Sequence, residues 1–211
     1  MLDDSKLPLD VSRLEFRIGR VVEADRHPAA DSLYVEKVDV CDKPPREPLR
    51  TVVSGLVKHV QVEELRGRLA LFMCNLKPAA LRGVNSEAMI MCASTPEKVE
   101  ILSVPEGAQP GDRVFAEGFA ADRFDEQLNP KKKVWEQVAP DLRVDADGIV
   151  KFRGAPLTIV GKGGRFTAPS LRNVQVKWPI HLPAPNRPRD SAYFSLALFI
   201  WFVVFFFICK P

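Results

Sequence analysis

The chain has 211 residues, of which 46% are hydrophobic and 27% are charged. This balance is typical of a globular chain of one or two domains and excludes an intrinsically disordered protein. The formal net charge is only +3, so the total charge alone indicates no polyanionic partner.

The first half of the chain predicts short strands. The apolar residues Leu14, Phe16 and Ile18 alternate with Glu15, Arg17 and Gly19, which predicts a long first strand. The glycine in its middle predicts a bulge or bend at Gly19. The segment 69–74 is apolar in both phases, which predicts a strand covered on both faces. Further strands are predicted over 33–40, 50–54 and 88–93, with one or two helical turns over 62–66. Five strands with a small helix between the third and the fourth form the OB arrangement.

A second block follows from about Phe115, with strands predicted over 149–152 and 157–160. Residues 116–177 carry 11 Lys and Arg against 8 Asp and Glu, and no acidic residue lies between Gly148 and Arg189. A basic stretch without acidic residues can face a phosphate backbone because no carboxylates of its own offset its positive charge. A solvated positive surface is the alternative interpretation.

Catalysis and metal binding are not expected. The four cysteines, Cys41, Cys74, Cys92 and Cys209, form no CxxC pair, whereas zinc needs converging ligands that usually come in short paired spacings. We expect Cys74 and Cys92 to be small buried hydrophobes. No nucleophile–base pair stands out, so we predict a protein that is no enzyme and needs no cofactor. Free thiols and an N-terminus without an apolar signal region predict the cytoplasm.

Several motifs carry a resemblance to a known family. They are RIGRVV (17–22), HPAADSLYVEKVDV (27–40), RTVVSGL (50–56), NLKPAALRGVNSEAM (75–89) and LNPKKKVWE (128–136). In this order, over roughly residues 5–177, the chain resembles the tRNA-binding modules of the endothelial monocyte-activating polypeptide II family. Such modules occur in the auxiliary protein of the animal multisynthetase complex and at the ends of some tyrosyl- and methionyl-tRNA synthetases.

The resemblance implies an all-β dominated fold. An OB-fold barrel would occupy residues 13–115 after a lead of residues 1–12, and an extension over 116–177 would pack on it. A shorter bacterial relative dimerises through its barrel, and the extension would take the place of that second subunit. The protein would then be a pseudo-dimer that works as a monomer. The implied function is shape-specific tRNA binding that assists aminoacyl-tRNA synthetases in translation.

The resemblance also implies RNA-binding residues. A strip on the barrel would contain Asn75, Lys77, Arg82, Ser86 and Met89. A turn role for Asn75 and a core position for Met89 stay open as alternatives. The remaining predicted RNA contacts are Arg20, Lys131, Lys132, Lys133, Lys162 and Arg165.

Physically, Lys and Arg would neutralise phosphates, while Ser86 would bond a phosphate or a 2′-hydroxyl. The alternative interpretation of the lysines at 131–133 is a run of solvated surface charges with no role in RNA binding. Ala80 stands where the family usually carries lysine, and losing that lysine would weaken phosphate contact without abolishing it.

The resemblance ends at Lys177. Residues 178–211 begin as a Pro-rich linker, and residues 192–209 are apolar apart from Ser195. A helix of this length would reach roughly 27 Å, close to the hydrocarbon width of a bilayer. The tail is therefore either a membrane anchor or the product of a translated intron or untranslated region. A membrane anchor would make the chain a membrane-tethered RNA-binding protein, which is one alternative function. The family resemblance implies a second alternative, a released cytokine-like polypeptide.

Overall fold

The computed structural model describes residues 8–43 and 49–179. In the first half, antiparallel strands curl into an OB-like barrel. Its strands are β1 (Phe16–Arg26), β2 (Tyr34–Asp39), β3 (Leu49–Ser54) and β4 (Leu69–Met73), with helix α1 (Val62–Leu65) between β3 and β4. A hairpin of β5 (Ala79–Leu81) and β6 (Val84–Ser86) follows, and the predicted fifth strand is interrupted, as β7 (Met89–Ile90) and β8 (Cys92–Ser94).

The second half continues the same sheet. Its elements are β9 (Val99–Ile101), β10 (Arg113–Ala116), α2 (Val134–Val138), β11 (Leu142–Val144), β12 (Val150–Phe152), β13 (Ala155–Ile159) and β14 (Gln175–Lys177). Short 3₁₀ helices cover Val11–Arg13, Pro130–Lys132 and Ala139–Asp141. β10 pairs with both β1 and β13, and β14 pairs with both β8 and β11. The all-β class with an OB-like barrel is confirmed.

Strand β4 separates two hydrophobic cores, and its predicted cover on both faces is confirmed. Ala70 and Phe72 point into the barrel interior with its cluster of buried side chains. Leu71 and Met73 belong to a second cluster, which includes Phe152 and residues of α2. Because successive side chains of a strand point to opposite faces, one apolar strand serves both cores.

The bulge predicted at Gly19 lies further along β1. The register between β1 and β2 shifts between Val21 and Glu23, whereas the pairing of Gly19 with Ala70 of β4 keeps its register. Gly19 has a different role, because a Cβ at this position would lie 2.7 Å from Phe72 Cδ2 and 2.7 Å from Val38 Cγ1. Glycine is needed there for close packing inside the barrel.

The β5–β6 hairpin was not predicted. Its turn places Arg82 at φ 48° and Gly83 at φ 91°, two successive positive values as in a type I′ hairpin turn. The hairpin is fastened to the β1–β2 loop, because Leu81 O lies 3.1 Å from Nε2 of the buried His27. The sequence signal was the Arg-Gly pair between Leu81 and Val84.

Backbone N–H and C=O groups along the outer edge of β3 form hydrogen bonds with three side chains and with one backbone group. Glu87 N donates to Thr51 O at 2.8 Å, and Thr51 N donates to Glu87 Oε2 at 2.8 Å. Val53 N donates to Ser86 Oγ at 3.0 Å. Trp178 Nε1 donates to Val53 O at 3.3 Å. Four ladder groups that an edge strand usually leaves open are thus paired.

The cysteine prediction is confirmed for Cys74 and Cys92, which are buried; burial raises the pKa of the Cys74 thiol to about 12. Across residues 8–43 and 49–179, no helix has the length and apolar character needed to cross a membrane. The segment 192–209, for which a membrane anchor was one of two alternatives, lies outside the residues that the structure describes.

Candidate nucleic-acid interface

Residues 129–133 form a tight turn that presents three lysines, and we call it the lysine turn. The Asn129 side chain accepts a hydrogen bond of 3.0 Å from Lys131 N and caps the 3₁₀ helix. Lys133 then adopts a left-handed conformation at φ 48° and leads the chain into α2. The Gln137 side chain donates hydrogen bonds to the carbonyls of Lys132 and Lys133. Lys131, Lys132 and Lys133 are all exposed to solvent.

A groove joins this turn to the barrel. Lys77, which follows β4, lines the groove together with Lys133, and its walls include Leu76, Leu128 and Trp135. The groove has a volume of about 180 Å³. The structure therefore brings Lys77 and the lysine turn together, although they lie more than fifty residues apart in the sequence.

Asn75 fastens the two halves of this groove. It is 2% exposed, and its Oδ1 accepts a hydrogen bond of 3.0 Å from Glu15 N. Its Nδ2 donates to Arg13 O and to Asp125 O, both at 2.9 Å. Its backbone carbonyl accepts a 2.7 Å hydrogen bond from Leu128 N, just before the lysine turn. Asn75 thus holds the turn against the end of β4, and its amide is fully used inside the protein.

Ser86 and Met89 are also buried. Ser86 Oγ accepts from Val53 N and donates to Ala88 O at 3.0 Å. Met89 is 4% exposed and belongs to the second core. The structure thus places three residues of the implied contact strip, Asn75, Ser86 and Met89, inside the fold, where their groups already have partners. For Met89 this is the core position that stayed open as an alternative.

Two arginines of the predicted set lie on other elements. Arg82 is exposed at the tip of the β5–β6 hairpin. Arg20 is exposed on β1, where its Nη1 donates to Gly67 O at 3.2 Å. Both guanidinium groups face solvent, and neither lines the groove.

Lys162 and Arg165 follow β13 and are paired with carboxylates. Lys162 Nζ lies 2.8 Å from Asp112 Oδ2, and Arg165 Nη1 lies 2.5 Å from Glu117 Oε1. The side chains of both cations are close to half exposed. The Arg165–Glu117 pair is exposed on both sides, and such pairs contribute only about 0–1 kcal/mol. Asp112 is less exposed than Lys162, so this estimate does not apply to their pair.

Trp135 is a groove residue that sequence reasoning missed. It lies in the first turn of α2, half-buried against the second core, and lines the groove beside Lys133. The available signal was an aromatic residue two positions after a lysine run, since cations beside an aromatic face are typical of single-stranded nucleic-acid sites.

Comparison with known proteins agrees with this architecture. The family model described as "Putative tRNA binding domain" matches residues 16–113. Aminoacyl tRNA synthase complex-interacting multifunctional protein 1 of Mus musculus is 55% identical over 160 residues, which cover 76% of this chain and 50% of that protein. Cytoplasmic methionine–tRNA ligase of Caenorhabditis elegans is 52% identical over 169 residues, which cover 80% of this chain and 18% of the ligase. The chain thus spans half or less of the length of these two curated relatives.

A solved structure covers most of the chain. The C-terminal domain of Plasmodium vivax p43 is 30% identical and superimposes with a TM-score of 0.72, covering 81% of this chain and 100% of that domain. The resemblance found in the sequence is therefore confirmed. This chain belongs to the tRNA-binding domain family that includes the C-terminal domain of p43 and aminoacyl tRNA synthase complex-interacting multifunctional protein 1.

Proposed function

We propose that this protein is a non-catalytic tRNA-binding factor that assists aminoacyl-tRNA synthetases. The observation that carries the proposal is the groove in which Lys77 from the barrel meets Lys133 from the second half. Within the described part of the chain, the side chains of Lys77, Lys131 and Lys133 form no ion pair. Their charge is therefore available to RNA phosphates, which supply most of the salt-sensitive affinity for nucleic acid.

Folded RNA suits such a surface. Its deep major groove is closed to side chains, so proteins read its phosphates, 2′-hydroxyls and unpaired bases. In our proposal, the groove and the lysine turn form the centre of the contact. The outer cations Arg20, Arg82, Lys162 and Arg165 bind phosphates around it. Asn75, Ser86 and Met89 act as positioning residues that keep the surface in shape.

The second half of the chain completes the surface in our proposal. It takes the place of a second subunit, so that one chain acts as a monomeric pseudo-dimer. Strand pairing of β10 with β1 and of β14 with β8 supports this idea, since the two halves then fold as one sheet. Analytical ultracentrifugation of the protein with and without tRNA checks it. We expect a particle of 23.6 kDa for the free protein, and a particle of twice that mass would contradict the proposal.

A synthetase partner and a cytoplasmic location complete the proposal. Two of the relatives carry synthetase-related names, and the Caenorhabditis elegans ligase is named cytoplasmic. A bound tRNA-binding module would help a synthetase by raising the local concentration of tRNA near its active site. Aminoacylation rates at limiting tRNA, measured with and without this protein, test the idea. An unchanged rate would count against it.

Salt-titrated binding tests the tRNA proposal directly. The full chain is titrated with folded tRNA and with a duplex RNA of equal length. We expect tighter binding of tRNA and an affinity that falls steeply with salt. The double variant Lys77→Ala/Lys133→Ala should lower the salt slope by roughly 1.5, at about 0.7–0.9 per lost phosphate contact. The exposed Lys58, in the loop after β3, provides the control Lys58→Ala. A flat salt response of the unaltered protein would sink the proposal.

A further inference from the structure

The groove beside the lysine turn is small and mixed in character. Its volume of about 180 Å³ is below the roughly 300–1,000 Å³ of sites that hold drug-sized ligands. One wall is apolar, with Leu76 and Leu128, and the rim carries Lys77 and Lys133. A space of this kind fits one flat ring with an anionic group attached.

Trp135 gives the groove its aromatic surface. Within residues 8–43 and 49–179, its indole N–H donates to no protein acceptor. A tryptophan with a purely structural role usually finds such a partner when it is buried. Trp135 is only half-buried and lines the groove, so the part of the indole that does not pack on the second core is available to a ligand.

Glu136 affects which ligands the groove can accept. It is the one carboxylate among the residues that line this groove. It repels phosphate, but it accepts hydrogen bonds from a base amino group or from a 2′-hydroxyl. Two lysines, one carboxylate and an indole together match a nucleotide better than they match an acidic peptide, which would meet the same carboxylate without using the ring.

We propose that this groove captures one unstacked nucleotide of the bound RNA, with the base on the Trp135 ring and the neighbouring phosphates on Lys77 and Lys133. The inference rests on the proposed RNA-binding function and deepens it. It assigns to the protein a preference for RNA with an unpaired base at the contact. Stacking on an aromatic side chain tolerates any base, because each base has a π face, so the preference concerns structure and not sequence.

The test compares two RNAs of equal length that carry the same number of phosphates. One is a hairpin with a single-stranded loop, and the other is a blunt duplex. The full chain and its variants Trp135→Ala and Trp135→Phe are titrated with both. Thermal unfolding verifies that each variant is folded at the temperature of the titration.

We expect Trp135→Ala to weaken hairpin binding by about 5- to 150-fold and duplex binding by less than 2-fold. Trp135→Phe keeps an aromatic face and should recover most of the hairpin affinity, a recovery that remains measurable even if the alanine variant fails to fold. Equal binding of both RNAs by the unaltered protein, or equal losses on both, would overturn the inference and leave the proposed function standing. If the unaltered protein binds neither RNA at low salt, both proposals are overturned.

Discussion

Asn75 Nδ2 donates a 2.9 Å hydrogen bond to the backbone carbonyl of Asp125, and this bond joins the end of β4 to the loop that precedes the lysine turn. The Arg13 guanidinium strengthens the same junction through its 2.6 Å ion pair with Asp125 Oδ2. Both partners of this pair are nearly buried. The cations of the proposed RNA surface therefore depend on a neutral side chain that does not reach the surface.

This dependence predicts the behaviour of Asn75→Ala. The change removes three hydrogen bonds of the side chain and leaves buried backbone groups unsatisfied. We expect a loss of about 2–4 kcal/mol in the free energy of unfolding. We also expect weaker tRNA binding, although no charge is lost, because the lysine turn is no longer held against Lys77. Urea unfolding and tRNA titration measure the two effects.

The matched control for this variant is Asn85→Ala, at an exposed position on β6. It should change neither quantity measurably. If the folded Asn75→Ala variant binds tRNA as well as the unaltered protein does, Asn75 has no positioning role.

The β5–β6 hairpin predicts a gain of affinity. Ala80 is exposed on β5, pairs with Asn85 and lies two positions before the turn residue Arg82. Ala80→Lys should add one phosphate contact, tighten tRNA binding several-fold at low salt and steepen the salt slope by about 0.7–0.9. Ala80→Gln serves as the neutral control and Ala80→Glu as the opposite charge. The hairpin does not face RNA if all three variants bind alike.

Glu36 predicts a fall of stability with rising pH. Glu36 lies fully buried on β2, where its Oε1 accepts a hydrogen bond of 2.5 Å from Ser54 Oγ. In the described structure, its other carboxylate oxygen, Oε2, has no hydrogen-bond partner. Burial raises the pKa of Glu36 from 4.5 to about 8, although the Ser54 hydrogen bond lowers it. Between these values the native state keeps a proton that the unfolded chain has lost. The free energy of unfolding should thus fall by up to about 1.4 kcal/mol per pH unit.

Glu36→Gln removes this titration. The variant should match the unaltered protein near pH 4 and exceed its stability increasingly up to pH 8. Denaturant unfolding at several pH values measures the difference. A constant difference across this window would show that Glu36 is not the titrating group.

Glu100 predicts the opposite behaviour in acid. Burial alone would raise the pKa of Glu100, but hydrogen bonds from Lys98, Ser170 and Leu171 lower it to about 2. Ser170 N and Leu171 N donate at 2.8 Å and 2.9 Å, so this carboxylate ties the chain after β13 to β9. The contribution of the ionised Glu100 to the free energy of unfolding is fully present above pH 4.5 and is lost as the pH falls towards 2. Glu100→Gln should therefore cost about 3 kcal/mol at pH 7.

The cost of Glu100→Gln should shrink below pH 4, because the unaltered protein then loses the same interaction. Glu97→Gln, at an exposed neighbour, controls for the loss of one negative charge. A cost that does not depend on pH would assign the effect to packing and not to the charge.

Strand positions were predictable in the first part of the barrel, where β1, β2, β3 and β4 agree with the predicted strands within a few residues. The signal was a two-residue period in β1 and a run that is apolar in both phases in β4. The three-residue strands β5 and β6 are too short for any period to be visible. Their turn depends on an arginine with positive φ, which residue preference alone does not predict.

The exposure of the predicted cations was predictable from the sequence, but the burial of the neutral residues was not. Lys77 and the lysine turn are polar and exposed as expected. Asn75 and Ser86 are also polar, and the sequence predicts exposure for such residues. Their partners are backbone atoms between two and sixty-two residues away, and only the folded chain brings these together. Trp135 was missed because its role depends on Lys77, which no sequence period links to it.

The pairing of Trp178 with Val53 has a practical consequence for anyone who shortens this protein. A version that stops at Lys177 keeps strands β1 to β14 but leaves the carbonyl of Val53, on the outer side of β3, without the indole of Trp178. Unpaired groups on a strand edge can pair with strands of other chains, and here one of the four paired edge groups of β3 becomes unpaired. Such a fragment should self-associate more readily at high concentration than one that retains Trp178, so fragment boundaries matter for solubility as well as for binding.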